Sequence, residues 1–534
     1  MSSHPAARPG PGSDQRSDRA PGPGGQPVAD GASGHPSAKG SGRGARTGSA
    51  TGSRPAPDAG EALGSGADED GHGGPGRDGR EQDGPEREGR DRAGREQGGL
   101  DLGGPDPAPG SGAEQPWSRQ RLRSNNEWML LERLRTTGAA SRAQLARDTG
   151  LSKPTVSAAL ATLEQAGLAR EAGLLAPGRG RVAVLYEPDP TAGYVLGVDI
   201  GRGRLRVAVA DLAGEITARR DVPNLGRSAG AVADAVIAES RAAIGEAGIG
   251  PGAVVHAAIG TPGVWDETEQ RVRYAAQLPG WGRRGLFDRI RAGLDTTISV
   301  HNDANLAALG EYARGAGAGS RHFVYLLLGT GIGMGVVSGG KLQRGAHGAA
   351  GEIGFLPLPG GRPAGAGAGR DGDQGGGDQQ STDQQTTDQQ GGDHDQRPGM
   401  LESAASAESV VRSAKEFGVR GASTAKQVFD AARAGDPAAL AAVQRQAEQL
   451  AYAVAVVSSV IDPDLVVLGG GMGQSSDLLL DRVEEALHAL TPLRPRLAPS
   501  LLGDEAVLIG ALSTALRTAR PEVFDRRSAA VARA

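Results

Sequence analysis

The 534-residue chain contains no cysteine. Disulfides are therefore excluded, as are zinc or iron sites built on thiolates. Aromatic residues make up only 3% of the chain, so few large side chains are available to anchor a core. No apolar run approaches the ~20 residues that a membrane-spanning helix needs. The opening MSSHPAARPGPGSDQ also lacks the apolar segment of a secretory signal. The cytoplasm is the expected compartment, with no membrane partner. An excess of positive charge is missing too: 58 Lys and Arg stand against 63 Asp and Glu, a formal net charge of -5. Such a chain does not hold nucleic acid by bulk charge, and any DNA contact must be local.

What is abundant is glycine, with 87 residues, alongside 33 prolines, and both are unevenly spread. Residues 1–116 are Gly, Pro, Ser, Asp and Arg with almost no large apolar side chain, so they cannot bury enough surface to offset chain entropy. A disordered tail is expected there. A folded helical module is expected over 117–190 and an α/β domain over 191–525. Residues 360–398 interrupt that domain with a low-complexity stretch repeating Asp-Gln-Gln, expected to be a disordered surface insertion.

The helical module is legible from its caps. Ser141 and Gln144 have capping-box spacing, and Gly150 stops the helix they begin. Ser152 caps a second helix with Pro154 in its first turn. Val156, Leu160 and Leu163 form its buried stripe. Two short helices around a tight glycine turn predict a helix-turn-helix, supported by Trp128, Leu131 and Leu134 of an upstream helix read from Asn125. Ser152, Lys153, Thr155 and Ser157 are small or polar groups at the exposed start of the second helix, suited to entering a major groove. The following hairpin carries Arg179 and Arg181 on glycine backbone at its tip, suited to phosphates or a narrow minor groove. Double-stranded operator DNA is the expected partner; a protein-interaction module is the alternative.

From Tyr194 strands and helices alternate. Glycine turns or polar residues follow the strand ends at Gly201, Gly260, Asn302 and Gly329, the positions where open α/β sheets bind ligands. After Leu401 the sequence predicts helices and one strand, LVVLGGG, over 465–471.

The order and spacing of VDIGRGR, GTPG, HNDANLAALGE, GAAGEIGF and LGGG resemble the ROK (repressor, open reading frame, kinase) family. The resemblance implies an actin-like, ribonuclease-H-like fold of two lobes behind the winged helix-turn-helix. It also implies a homodimer or higher homo-oligomer and a small-molecule sugar effector. It places sugar-binding roles on Gly260, Thr261, Pro262, Gly263, Gln277, Asn302, Asp303, Glu352 and Glu402. Gln277 stands where the family is expected to carry Asn. Nucleotide-turn positions fall on Asp199, Gly201, Gly203, Arg204, Gly329, Thr330, Gly331, Gly333, Gly469 and Gly470. Asp303 matches the family's catalytic base, a role that applies only if phosphoryl transfer is retained.

Two departures from the kinase pattern point away from catalysis. The first phosphate turn reads Asp199-Ile200-Gly201-Arg202-Gly203-Arg204, with Arg and Gly where the family has Gly and Thr. The family's zinc motif loses its His to Phe355, and no cysteine follows. No zinc and no other cofactor are expected; ATP and magnesium belong only to the kinase alternative. The expected function is a sugar-controlled transcriptional repressor of carbohydrate genes. A sugar kinase with a DNA-binding appendage and a ligand-blind regulator are the alternatives.

Overall fold

The computed structural model describes residues 119–175, 182–275, 278, 280–358 and 399–533. The tail over 1–116, Arg179 and Arg181 at the hairpin tip, Gln277 and the stretch 360–398 lie outside the described residues.

The first module contains α1 (Arg119–Thr137), β1 (Ala140–Ser141), α2 (Arg142–Thr149), α3 (Lys153–Gln165), β2 (Ala169–Leu175) and β3 (Ala183–Pro188). Its sheet has the order β1-β3-β2. The expected caps are in place. Ser141 Oγ accepts from Gln144 N at 3.2 Å, Ser152 Oγ accepts from Thr155 N at 3.2 Å, and Gly150 ends α2 at φ 72°. Val156, Leu160 and Leu163 are fully buried against Leu131 and Leu134. The upstream helix starts six residues earlier than its apolar pattern indicates, because the first turns, RQRLRS, are polar.

The α/β body repeats one plan twice. In the first lobe, β4 (Tyr194–Ile200), β5 (Arg204–Asp211) and β6 (Ile216–Pro223) form an antiparallel meander, with β7 (Val254–Thr261) and β10 (Thr297–Asn302) added parallel on the other side of β4. A small hairpin, β8 (Val264–Asp266) with β9 (Arg271–Arg273), leans beside it. In the second lobe, β11 (His322–Leu328), β12 (Ile332–Ser338) and β13 (Lys341–Leu342) form the meander, with β14 (Leu465–Gly469) and β15 (Arg496–Pro499) parallel beyond β11. The sequence reading runs β14 to Gly471, but the strand ends at Gly469 because Gly470 turns to φ 74°. Strand β15 escaped that reading: it is four residues long, at a sheet edge and only half-buried.

The helices cover these sheets and join them. The first lobe carries α4 (Ala229–Glu246) and α5 (Leu286–Leu294), and α6 (Asp303–Arg314) leads out of it. The second lobe adds α7 (Met400–Ala405), α8 (Ala407–Glu416), α9 (Ala425–Arg433), α10 (Pro437–Ile461), α11 (Gly470–Gly473) and α12 (Ser476–Leu490). The final helix, α13 (Ala506–Arg533), packs on α6 through a close crossing. Neither Gly310 nor Gly510 has room for a Cβ, because the backbone of the opposite helix occupies that space.

The far half of α13 reaches the first module. Trp128 and Phe524 meet edge to face at 5.1 Å. Arg527 donates to the carbonyls of Ala166 (3.2 Å), Gly167 (3.1 Å) and Ala192 (2.6 Å). One apolar cluster therefore runs from Leu130 and Leu160 through Val523 and Leu512 to Leu306. No described helix is long and apolar enough to cross a membrane.

Candidate effector cleft and DNA-facing helix

A cleft of about 210 Å³ opens between the lobes. Chain turns at the ends of β4, β7, β10 and β11 bring its walls together. Asn302 is the N-cap of α6: its Oδ1 accepts from Asn305 N at 3.0 Å and its Nδ2 donates to Gly263 O at 3.2 Å. Both sides of that amide are thus committed to shaping the turn. Gly263 sits at φ 91°, and a Cβ there would lie 2.5 Å from Arg273 O, so glycine is required at this corner. Asp303 opens α6, with Ala304 N donating to its Oδ1 at 2.8 Å. Glu352 begins the short 3₁₀ turn of residues 353–355, and Glu402 lies on α7 against Gly354.

These carboxyls share one corner of the cleft. Burial holds Asp303 up to about 6, with the Glu402 charge pushing the same way. Burial holds Glu352 up to about 7, reinforced by Asp303 and Glu402. Such groups accept hydrogen bonds from hydroxyls when ionised and donate when protonated, which suits a neutral polyol.

The other half of the cleft is organised by arginine. Asp199, 4% exposed, pairs across the β4–β5 hairpin with Arg206 at 3.0 Å. Burial raises Asp199 to about 7, against the pull of that guanidinium. Arg206 also lies 3.6 Å from both Asp221 and Asp504. Arg202 reaches across the cleft from the first-lobe turn to Glu408 on α8, at 3.1 Å. Cationic side chains thus stand on both sides of the first-lobe turn. Arg204 points out of the cleft to Asp221 at 2.8 Å.

Of the residues singled out from sequence, Asp199, Gly201, Pro262, Gly263, Asn302, Asp303, Gly329, Thr330, Gly331, Gly333, Glu352, Glu402 and Gly470 line the cleft. Gly203, Arg204, Gly260, Thr261 and Gly469 do not. Thr261 is buried and accepts from Trp281 Nε1 at 2.7 Å, while Gly469 leaves room for Tyr325. The sequence reading missed Arg206, Asp504 and Tyr274 as lining residues. No local signal marks Arg206: strand alternation puts it on the face of Arg204, which points away from the cleft. The zinc site of the resemblance does not fit this chain: Phe355 holds the His position, and among the described residues no group of three His, Cys, Asp or Glu could hold a metal ion.

On the first module, Ser152, Lys153 and Ser157 are exposed at the start of α3 and Thr155 is half-buried. The Ser152 and Thr155 hydroxyls also pair with each other at 2.8 Å, completing the cap. This helix end is free of the α13 contact, which grips the opposite end.

Comparison with known proteins matches both parts of the chain. The ROK family model covers residues 195–518 and the MarR family model residues 124–170. The glucokinase of Halalkalibacterium halodurans is 29% identical over 347 residues, 59% of this chain and 93% of that protein. The xylose repressor of Bacillus subtilis is 28% identical over 233 residues, 44% of this chain and 60% of that protein. A solved ROK family transcriptional regulator, a homologue of the E. coli MLC protein, matches with a TM-score of 0.58 and 20% identity, covering 76% of this chain and 99% of that one. At that identity the likeness is one of fold. The chain belongs to the ROK family, with a MarR-type winged-helix DNA-binding domain ahead of its actin-like ROK domain.

Proposed function

We propose that this protein is a transcriptional repressor of carbohydrate genes, bound to a palindromic operator as a homodimer and released or retained by a sugar in the ROK cleft. One observation carries the reading. The N-terminal end of α13, with Asp504 just before it and Val507 in its first turn, lines the cleft. Arg527 of the same helix holds the carbonyls of Ala166 and Gly167, where α3 ends. Closure of the lobes on a sugar moves one end of a helix whose other end positions the DNA-reading helix. A coupling of ~1–3 kcal/mol between the two sites is enough for a useful switch. The B. subtilis relative, a xylose repressor, supports the same class of role.

A sugar kinase with a DNA-binding appendage is the second reading. It is favoured by Asp303 at a strand end and by the bare Gly329–Gly331 turn, and opposed by the arginines of the first turn.

The test is fluorescence anisotropy of the full chain on its own upstream DNA, at two salt concentrations, with and without a sugar panel. Specific binding with a salt slope of about -0.9 per phosphate contact, changed by one sugar, is the expected result. Binding without specificity at either salt overturns the repressor reading. Asp303→Asn abolishes ATP consumption in a kinase, whereas in a regulator it alters only the sugar response.

A further inference from the structure

Besides the buried Tyr325, two aromatic rings line the cleft: Tyr274 and Phe355. Neither makes the hydrogen bonds that shape the polar corner. Tyr274 adopts φ 58°, a left-handed conformation that bulky residues rarely take. Of the other non-glycine residues with similar φ, Gln270 lies in the turn between β8 and β9, and Asp295 and Asp462 are helix C-caps, where a short polar side chain tolerates it. Tyr274 ends no helix. Its ring meets Phe355 edge to face at 5.7 Å and an interplanar angle of 69°, and the Arg273 guanidinium lies 5.4 Å from its centroid.

Phe355 is 44% exposed, while Ile353 two residues earlier in the same turn is 7% exposed. A single exposed Phe needs no explanation. An exposed Phe gripped by a tyrosine held in an unfavourable backbone conformation does, and such outliers gather at ligand clamps. The turn that presents Phe355 begins at Glu352 and lies against Glu402. The apolar platform is therefore continuous with the carboxyl corner.

We infer that Tyr274 and Phe355 form a second subsite, next to the sugar ring, for an apolar face of the ligand. The inference rests on the reading that the cleft takes a sugar. The ligand class is a glycoside. One ring gives its hydroxyls to Asp303, Glu352 and Glu402. A second unit, the C–H face of another pyranose or an aryl aglycone, lies on the aromatic pair. A phosphorylated monosaccharide offers the aromatic pair no second apolar face.

The test is isothermal titration calorimetry on the full chain with matched series of glucose, xylose and galactose. Each is offered as the free sugar, the 4-nitrophenyl glycoside, a disaccharide and a sugar phosphate. In the series that binds, the glycoside or disaccharide is expected to bind about three- to ten-fold tighter than the free sugar. Phe355→Ala is expected to remove that preference, so that glycoside and free sugar bind the variant equally. Phe355→Leu, which keeps apolar volume without a ring, is expected to retain part of it. Equal binding of free sugar and glycoside overturns the inference. So does a preference that survives both Phe355→Ala and Tyr274→Ala, or a sugar phosphate that binds tightest. Failure of every sugar form to bind overturns the underlying sugar reading itself.

Discussion

The two lobes carry matching hairpins with opposite chemistry. In the first, Asp199 faces Arg206 two residue pairs from the turn; in the second, Leu327 faces Gly333 at the matching place. The first turn carries Arg202 and an ion pair across the cleft, while the second is Gly329-Thr330-Gly331 with open space around Gly329. One scaffold, used twice, thus holds an uncharged glycine turn on one side and a charge-filled turn on the other. The difference lies in side chains that the shared backbone does not dictate, which is why a fold by itself does not reveal chemistry.

The largest test of this contrast is Arg206→Ala. It leaves Asp199 buried without its cation and is expected to destabilise the chain by about 3 kcal/mol in urea denaturation above neutral pH. The loss should shrink in mild acid, where Asp199, raised to about 7, takes up a proton. The double variant Asp199→Leu with Arg206→Ala imitates the second lobe and should recover most of the loss. If it does not, the two hairpins differ in more than this pair.

Gly335→Ala tests the second lobe. A Cβ there lies 2.5 Å from both Ala304 O and Ala308 Cβ, so α6 must shift. About 1–3 kcal/mol of stability should be lost. Sugar affinity should fall with it, because Asp303 moves with α6; unchanged affinity would separate packing from the site.

A smaller effect concerns pH. Asp303 and Glu352 hold their protons more tightly folded than unfolded, at about 6 and about 7. Their contribution is complete below the unfolded carboxyl range and is lost as pH rises from about 4 to about 7. Thermal melts of the wild type should fall across that window by more than those of Asp303→Asn or Glu352→Gln. Equal slopes would show that the corner is wetter than its burial indicates.

Arg202→Ala should matter least to stability, under about 1 kcal/mol, because Arg202 and Glu408 are both solvent-exposed. A large loss would make this cross-lobe contact a structural tie.

Much of this architecture was legible in the sequence because it rests on local rules. Ser141, Ser152 and Gly150 mark helix ends by capping chemistry, and Asn302 marks the start of α6 in the same way. What escaped depends on partners distant in the chain. Arg206 reads as an ordinary strand residue until Asp199 and Asp504 are placed around it. Tyr274 gives no sign of its φ 58°, and its ring partner Phe355 comes from far along the chain. The last helix runs through Pro521, a residue type that breaks most helices but is accommodated within this one.

That last helix is also a lever. At 1.5 Å per residue it is ~42 Å long, and the part between the Gly310–Gly510 crossing and Arg527 is ~25 Å. With the glycine crossing as fulcrum, a tilt of about 5° displaces the guanidinium by about 2 Å, enough to break hydrogen bonds of the length it makes. In the proposed switch, the cleft need close by only a fraction of that distance for Arg527 to release the carbonyls at the end of α3.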